Sequence, residues 1–242
     1  DLDLVRGDPS ERRSFLDQLL IQQSPRLAGV ISDYERALKQ RNSLLKSRAP
    51  ESSLRSWSEH LATFGGELIA GRIKLINEIE PLFQIAYKNL SAKKLAKLGY
   101  KSSIPAPSSE KEVNKELMLK VIEEVKSQEI ERGISLVGPH RDDLILNLGD
   151  HPVKGYASHG ESWSIALALR LASYQLFINE GAKPILILDD VFSELDEGRR
   201  EKLLEIADSA EQTFITVAVE NDLPKAIQGA RFKVELGKVV TL

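Results

Sequence analysis

Residues 184 to 190 read Pro-Ile-Leu-Ile-Leu-Asp-Asp, an apolar run that ends in two carboxylates. Such a run is typical of a buried central strand, and the carboxylates follow where the strand leaves the sheet. In open α/β sheets, ligands bind at the carboxyl ends of the strands. Asp189 and Asp190 could therefore support Mg²⁺ and orient a water molecule at a γ-phosphate. The alternative is that these acidic residues merely solubilise a strand end.

Strands and helices alternate on both sides of this run, which favours an α/β layer with a mainly parallel sheet. The patterns upstream predict short strands at 134–137 and 144–148, a hairpin turn at 149–150 and a long helix at 161–179. The patterns downstream predict a helix at 197–207, a strand at 213–217, and then a short helix and a closing strand pair.

The beginning of the chain reads as helix. Asp8-Pro9 opens a segment with four apolar side chains on one face. These side chains are Phe15, Leu16, Leu19 and Leu20. A helix at 24–46 and another at 51–89, interrupted by Gly65-Gly66, predict a projecting antiparallel pair.

A polar loop at 99–109 and a helix at 111–132 complete the helical part of the chain. Basic residues slightly outnumber acidic residues up to position 135, and acidic residues predominate beyond it. We therefore expect an α-helical arm domain at 1–135 and a second domain at 136–242.

Composition excludes several classes of protein. The 242 residues are 42% hydrophobic and 29% charged, which is typical of a water-soluble globular chain. The absence of cysteine excludes disulfides, thiolate metal sites and cysteine nucleophiles. No apolar run approaches the roughly 20 residues that cross a bilayer, and the first residues lack a basic stretch followed by an apolar one. We expect a cytoplasmic protein that neither spans a membrane nor is secreted.

Two short turns carry further candidate residues. Ser158-His159-Gly160-Glu161-Ser162 precedes the predicted helix at 161–179, where backbone N–H groups and the helix dipole could hold an anion. Ser193-Glu194-Leu195-Asp196 leads into the next helix. Each turn taken alone is also a plain helix cap.

The order of these features resembles the C-terminal half of an ATP-binding-cassette head. Three segments are similar to the RecF family of bacterial DNA replication and repair proteins. They are Gly138-Pro139-His140-Arg141-Asp142-Asp143, Tyr156-Ala157-Ser158-His159-Gly160-Glu161 and Leu188-Asp189-Asp190-Val191-Phe192-Ser193-Glu194-Leu195-Asp196. The runs from Arg6 to Arg13 and from Tyr34 to Lys46 resemble that family as well. The resemblance implies an SMC-like or Rad50-like ABC-type P-loop ATPase head joined to a short helical arm.

The resemblance also implies roles for individual residues. Asp189 would support Mg²⁺ and Asp190 would be the catalytic carboxylate that positions water. Ser158, Gly160, Glu161 and Ser162, the signature turn, would touch the γ-phosphate of ATP that a second subunit holds. Ser193 and Asp196 would belong to the D-loop at the same interface. ATP would then join two copies into a homodimer.

The sequence departs from the cassette pattern in three places. It contains no G-x-x-x-x-G-K-[ST] loop to cradle the phosphates. In the RecF family that loop lies upstream, so we expect this chain to be a piece that lacks the N-terminal lobe and is inactive alone. Asp190 stands where many cassette ATPases have Glu, which favours slow hydrolysis. The resemblance implies a weak DNA-dependent ATPase in the complete protein. No His follows the strand at 213–217, and Thr216 is the candidate switch residue.

The sequence evidence for DNA contacts is weaker than that for the nucleotide-binding residues. His140 and Arg141 could contact an anion or DNA, or Arg141 could pair with Asp142, Asp143 or another acidic side chain. The basic residues of the helical part are also candidates, although most such charges only face solvent. They are Lys39, Arg41, Lys46, Arg48, Lys93, Lys94 and Lys97.

Two hypotheses of function remain open. The first, which the resemblance implies, is an ATP-dependent clamp on duplex DNA next to single-strand gaps, acting in replication, repair and the SOS response to DNA damage. It would promote RecA loading with RecR and RecO, and would involve single-stranded DNA binding. The second is a non-catalytic SMC-like structural head that serves as an interaction scaffold. A transporter ATPase is a third, weaker reading, which the helical arm and the 138–143 segment disfavour.

Overall fold

The computed structural model describes residues 2–91, 94–219, 223 and 227–241. Its contacts divide the chain into two compact units, Asp1–Glu180 and Gly181–Leu242. The boundary expected at residue 135 falls inside the first unit, because elements on both sides of that position pack together. The assignment of residues 1–135 and 136–242 to an arm and part of a head stays a prediction.

The first unit is built mainly from helices. Their bounds are α1 Leu2–Arg6, α2 Pro9–Gln23, α3 Arg26–Lys46, α4 Glu51–Leu90, α5 Lys111–Arg132, the single turn α6 Val153–Tyr156 and α7 His159–Asn179. The predicted starts near Pro9 and Pro25 and the helix at 111–132 are confirmed. Pro9 begins α2 because its ring fixes a helical φ and its missing N–H is not needed there. The predicted apolar face of α2 is confirmed, since Phe15, Leu16, Leu19 and Leu20 are all buried.

Helix α4 forms the centre of the first unit and packs against α2, α3, α5, α7 and the first strand. It runs for 40 residues without a break, so the predicted interruption at Gly65-Gly66 is wrong. The two glycines instead permit close packing against α5: a Cβ on Gly66 would lie 2.7 Å from the Lys111 carbonyl oxygen. Because α5 and α7 cover the α3–α4 pair, that pair does not project freely from the unit.

Substitution of the glycines of α4 should separate close packing from helix propensity. We expect Gly66→Ala to lower the free energy of unfolding by up to about 2 kcal/mol, because overpacking against backbone costs about 1–3 kcal/mol and helix propensity returns only about 1 kcal/mol. Gly71→Ala in the same helix is the matched control. Its Cβ would make only ordinary contact with Leu20 at 3.5 Å, so it should stabilise by up to about 1 kcal/mol. Urea denaturation measures both, and a Gly66→Ala variant as stable as Gly71→Ala would contradict the close packing.

An antiparallel sheet completes the first unit, with the order β1 Ala96–Lys101, β2 Asp143–Leu148 and β3 His151–Pro152. The predicted strand at 144–148 and hairpin at Gly149-Asp150 are confirmed. The loop predicted at 99–109 is partly wrong, because Gly99, Tyr100 and Lys101 pair with β2. Pairing across the sheet thus outweighs the turn propensity of this polar stretch.

Residues 134–137 do not form the predicted strand. Two of their backbone N–H groups bond to side chains of α3 and α5 instead of a neighbouring strand. Ser135 N donates to Asn42 Oδ1 and Leu136 N donates to Glu129 Oε1, each at 2.7 Å. The segment is therefore an irregular but buried connection between α5 and β2.

The second unit contains β4 Leu186–Asp189, the 3₁₀ helix Val191–Glu194, α8 Glu197–Ser209, β5 Thr213–Thr216, β6 Phe232–Glu235 and β7 Lys238–Thr241. Strands β4 and β5 are parallel, and β6 and β7 form the predicted closing pair. Among the described strands, parallel pairing is confined to β4 and β5, so the expectation of a mainly parallel sheet is wrong for this part of the chain. The short helix predicted after β5 lies mostly outside the described residues.

Strand β4 is less buried than its apolar sequence predicts. Leu186 and Leu188 are buried, whereas Ile187 is 67% exposed. The expectation of a buried central strand is therefore wrong for this part of the chain, because among the described strands β4 pairs with β5 alone.

Candidate functional site

The carboxylate pair lies at the carboxyl end of β4, beside the end of β5. Asp189 and Thr216 are direct partners across the two parallel strands. The Thr216 hydroxyl donates to Asp189 Oδ1 and accepts the backbone N–H of Asp190 at 3.2 Å. Parallel strands bring their carboxyl ends to one edge, which explains why residues 27 positions apart meet here. The structure thus brings together Asp189, Asp190 and the predicted switch residue Thr216.

Asp190 adopts a left-handed backbone conformation, with φ 50° and ψ 26°. Asp and Asn tolerate this conformation better than other residues that carry a Cβ. The backbone N–H of Ala218 donates to Asp190 Oδ1 at 3.4 Å, and the Ser193 hydroxyl donates to the Asp190 carbonyl at 2.8 Å. The carboxylate is exposed and held at the edge of the strand pair, where a ligand can reach it.

These side chains suit Mg²⁺ that arrives with a nucleotide. Mg²⁺ is commonly bound by one or two carboxylates together with water and phosphate oxygens. Asp189 supplies one exposed carboxylate beside the Thr216 hydroxyl. Within the described parts of the chain, no three His, Cys, Asp or Glu side chains group closely enough to hold a metal without such a ligand.

The turn after the carboxylates leads into α8. Asp196 is the N-cap of this helix, because its Oδ1 accepts the backbone N–H of Arg199 at 3.0 Å. Arg200 Nε donates to the carbonyl oxygens of Phe192 and Leu195, both at 2.9 Å. The capping role expected for this turn is present, and a D-loop role for Ser193 and Asp196 stays a prediction.

The signature turn forms the N-terminus of α7. Ser158 and Glu161 make a reciprocal capping box: Glu161 N donates to Ser158 Oγ at 3.2 Å, and Ser158 N donates to Glu161 Oε2 at 2.9 Å. The Ser162 hydroxyl donates to the Ser158 carbonyl at 2.9 Å. Gly160 occupies the first turn of the same helix, so all four predicted residues lie together at the end that favours an anion.

Two basic residues that sequence reasoning did not assign to this turn contact it. Lys94 Nζ donates to Glu161 Oε1 at 2.8 Å, and Arg6 Nε donates to Ser162 Oγ at 3.1 Å. The first of these hydrogen bonds and the bond from Ser158 N lower the pKa of Glu161 to about 2. The two basic residues lie 67 and 156 positions from their partners, so no local pattern could have revealed them.

The pKa of Glu161 provides a test of this contact. In the Lys94→Met variant we expect it to rise from about 2 towards the ordinary 4.5, because the largest contribution to the shift is lost. Since the pKa is lowered in the folded state, the ionised Glu161 stabilises the cap fully at pH values above about 4.5. This stabilisation is lost as the pH falls through about 2. A carboxyl NMR titration measures the change. Lys97→Met, at an exposed position nearby, should leave the Glu161 curve unchanged, and an equal shift in both variants would contradict the assignment.

His140 and Arg141 are held by the protein itself. His140 Nε2 lies 3.2 Å from the Ser135 carbonyl, which can only accept, so Nε2 carries the proton and the Tyr34 hydroxyl donates to Nδ1 at 2.5 Å. Burial lowers the pKa of His140 to about 4, so the ring is neutral at physiological pH and offers no charge to an anion. Arg141 also donates to the Ser135 carbonyl, at 2.9 Å through Nη2.

The acidic residues beside Arg141 have other partners. Asp142 accepts hydrogen bonds from Tyr100 Oη, Ser102 Oγ and Ser103 N, and Asp143 pairs with Arg12 at 2.7 Å. Within the described residues, Arg141 therefore bonds to a backbone carbonyl rather than to the predicted carboxylates. Its contact with an anion or DNA stays a prediction.

One of the basic residues proposed for DNA contact is unsuitable. Arg41 is 2% exposed and is paired with Glu129 inside the first unit, so it is not available to DNA. Lys39, Lys46, Arg48, Lys94 and Lys97 are exposed, although Lys94 is engaged by Glu161. Lys93 lies outside the described residues.

Comparison with known proteins decides the family. No family model matches the chain. It is 50% identical over 251 residues to the DNA replication and repair protein RecF of Streptomyces avermitilis, covering 99% of the chain and 67% of the relative. The chain belongs to the RecF family. It is also 47% identical over 274 residues to the RecF protein of Beutenbergia cavernae, covering 99% of the chain and 69% of that relative.

Solved structures show the same fold. The recombination mediator protein RecF-ATP in the RecFOR pathway matches with a TM-score of 0.87 and 24% identity, over 100% of this chain and 65% of that one. The Smc head domain of Pyrococcus furiosus matches with a TM-score of 0.50 and 16% identity, over 99% of this chain and 59% of that one. The expected fold, that of part of a RecF or Smc head with a helical portion, is therefore confirmed. The chain spans about two thirds of the length of these RecF-family relatives.

In the described parts of the chain, no helix combines the length and the apolar character that a bilayer span requires.

Proposed function

We propose that the full-length gene product is an ATP-dependent DNA-binding protein of recombinational repair and replication-fork maintenance. Two copies close around ATP, clamp duplex DNA next to single-strand gaps and promote RecA loading together with RecR and RecO. The observation that carries this proposal is the pair Asp189 and Asp190 at the carboxyl edge of two parallel strands, joined through Thr216. Membership in the RecF family supports it.

The three side chains have distinct roles in this proposal. Asp189 holds Mg²⁺, which neutralises negative charge on the phosphates when it is bound. Asp190 orients the attacking water, because its exposed carboxylate follows directly on the Mg²⁺ ligand. Thr216 hydrogen-bonds to both residues, so a change at the nucleotide can reach β5 through it.

The signature turn receives the γ-phosphate of the nucleotide held by the other copy. The N-terminus of the 21-residue helix α7 supplies backbone donors and the positive end of a dipole. The Glu161 carboxylate would repel a phosphate there, but the Lys94 ammonium offsets its charge at 2.8 Å. These contacts support an anion-binding role over a cap alone.

The direct test is ATP-dependent dimerisation and ATPase activity of the full-length gene product. We expect ATP to produce dimers, ADP to leave monomers, and gapped duplex DNA to stimulate a slow hydrolysis. Light scattering measures the mass and phosphate release measures turnover. The 242-residue chain alone should neither dimerise with ATP nor hydrolyse it. A full-length protein that binds no ATP would contradict the proposal.

The second candidate is a non-catalytic structural head that acts as an interaction scaffold. One observation favours it: the capping box satisfies Ser158 and Glu161 without any nucleotide, so the turn is complete as a structural cap. The two candidates predict different results when the Asp190 carboxylate is removed. The ATP-dependent clamp predicts a trapped ATP-bound dimer, and the scaffold predicts no such state.

A further inference from the structure

An exposed pair of stacked aromatic rings lies beside the signature turn. The His151 and Tyr156 rings are nearly parallel, with an interplanar angle of 9° and centroids 5.0 Å apart. Tyr156 is 69% exposed and His151 is also exposed. Aromatic surface in water is a suitable partner for another flat ring, since stacking recovers apolar contact on a face that is otherwise hydrated.

The backbone fixes the position of this pair relative to the turn. His151 is anchored in β3 by its pairing with Leu148, and Val153 is buried at the start of the following turn. Gly155 has a positive φ of 91°, which lets the chain reverse so that Tyr156 faces back towards His151. Tyr156 is only two residues before Ser158, so at about 3.5 Å per residue the two backbones are within about 7 Å.

A cavity opens beside the rings. Its volume is about 290 Å³, and Lys94, Asp150, Pro152 and Ala157 line it together with His151 and Tyr156. This volume lies at the lower end of the range for ligand pockets and suits a ring system better than a whole nucleotide. The cavity and the signature turn share Lys94, whose ammonium contacts Glu161.

We propose that the His151–Tyr156 pair receives the purine base of the nucleotide whose terminal phosphate lies at the signature turn. This assignment rests on the proposed function, in which a second copy holds that nucleotide. A ribose and two further phosphates separate the base from the γ-phosphate, so a single molecule can reach both the turn and the neighbouring rings. The signature turn contacts only phosphate, so it is the aromatic pair that would distinguish one nucleotide base from another.

The surroundings favour a nucleotide base over the bases of single-stranded DNA. Binding of a strand requires a basic groove that follows its backbone. Among the described residues, the lysines near the rings are already engaged, Lys94 with Glu161 and Lys154 with the Gly7 carbonyl at 3.1 Å. Asp150, in the wall of the cavity, adds a negative charge that would repel a phosphate backbone but can accept a hydrogen bond from the amino group of a base.

The test uses ATP-dependent dimerisation of the full-length gene product. Loss of stacking on a base costs about 1–3 kcal/mol, so Tyr156→Ala should raise the ATP concentration at half-maximal dimerisation by about 5- to 140-fold. Tyr156→Phe keeps the ring and should stay within about twofold of wild type. The wild-type protein should need a higher concentration of CTP than of ATP for half-maximal dimerisation. In Tyr156→Ala the two concentrations should lie closer together. Phe232→Ala, which removes another exposed ring, should leave the half-maximal concentrations of both ATP and CTP unchanged.

The outcomes separate this assignment from the proposed function. If the wild-type protein dimerises with ATP and Tyr156→Ala behaves identically with both nucleotides, the base assignment alone fails. If Tyr156→Ala weakens binding of single-stranded DNA while its ATP dependence is unchanged, the rings serve DNA bases and the assignment is overturned. If the wild-type protein does not dimerise with ATP, the proposed function fails and the assignment fails with it.

Discussion

Asp190→Asn in the full-length gene product should leave ATP-dependent dimers that form normally but hydrolyse ATP about 10² to 10⁴ times more slowly. This range is the usual contribution of a side chain that acts in proton transfer or orients a water molecule. The substitution is mild structurally, because Asn accepts the left-handed backbone conformation at φ 50° as readily as Asp. Its Oδ1 can still accept the hydrogen bond from the Ala218 backbone. Single-turnover hydrolysis and the dissociation rate of DNA together measure the effect.

The matched control makes the same chemical change at a distance from the carboxylate pair. Asp208 is exposed near the end of α8, so Asp208→Asn should hydrolyse ATP at the wild-type rate. The clamp and the scaffold differ in this experiment: only the clamp predicts that Asp190→Asn prolongs the ATP-bound dimer and slows DNA release. Wild-type hydrolysis in Asp190→Asn would remove Asp190 from the proposed chemistry.

Glu129→Gln should lower the free energy of unfolding by about 3–5 kcal/mol. Glu129 and Arg41 are 0% and 2% exposed and form an ion pair at 2.5 Å between α5 and α3. Loss of one charge leaves the other buried without its counter-ion, which is the most costly way to disrupt such a pair. Arg41 also donates to Ser58 Oγ at 2.9 Å and to Ser135 Oγ at 2.7 Å, so its guanidinium cannot turn to solvent without breaking further bonds. Chemical denaturation measures the loss.

An exposed ion pair and a double variant serve as controls. Asp33→Asn removes a charge from the surface pair with Arg36, whose side chains are 38% and 66% exposed, and should cost less than about 1 kcal/mol. Replacement of both buried residues, Arg41→Met with Glu129→Leu, should recover part of the loss because no unpaired charge remains. Equal costs for Glu129→Gln and Asp33→Asn would show that burial does not determine the strength of this pair.

Local patterns predicted the helices well because helix formation depends on neighbouring residues. The apolar spacing of Phe15, Leu16, Leu19 and Leu20 was sufficient to place the buried face of α2. The pattern failed where distant residues decide the outcome. Gly65-Gly66 indicated a break, but the break is absent because α5 packs directly against them. Likewise, β1 exists because β2 pairs with it across more than 40 positions, and nothing in the polar stretch around Gly99 reveals that partner.

The candidate site was predictable to the extent that its motifs are continuous in sequence. Ser158 through Ser162 begin one helix and Asp189-Asp190 end one strand, so the order of residue types was enough to find them. Lys94 and Arg6 were not assigned to the turn, because only the folded first unit brings them to Glu161 and Ser162. The protonation of His140 was likewise beyond local patterns, because it is burial in the folded unit that lowers the pKa of the ring to about 4.

The position of β2 between β1 and β3 has a practical consequence for dividing the chain. Expression of residues 1–135 alone would leave β1 with no strand to pair with, and expression of residues 136–242 alone would expose the row of N–H and C=O groups on β2 that β1 covers. Unpaired edges of this kind recruit strands from other molecules and lead to aggregation. An arm prepared for partner-binding studies should therefore extend to Glu180, where the first compact unit ends.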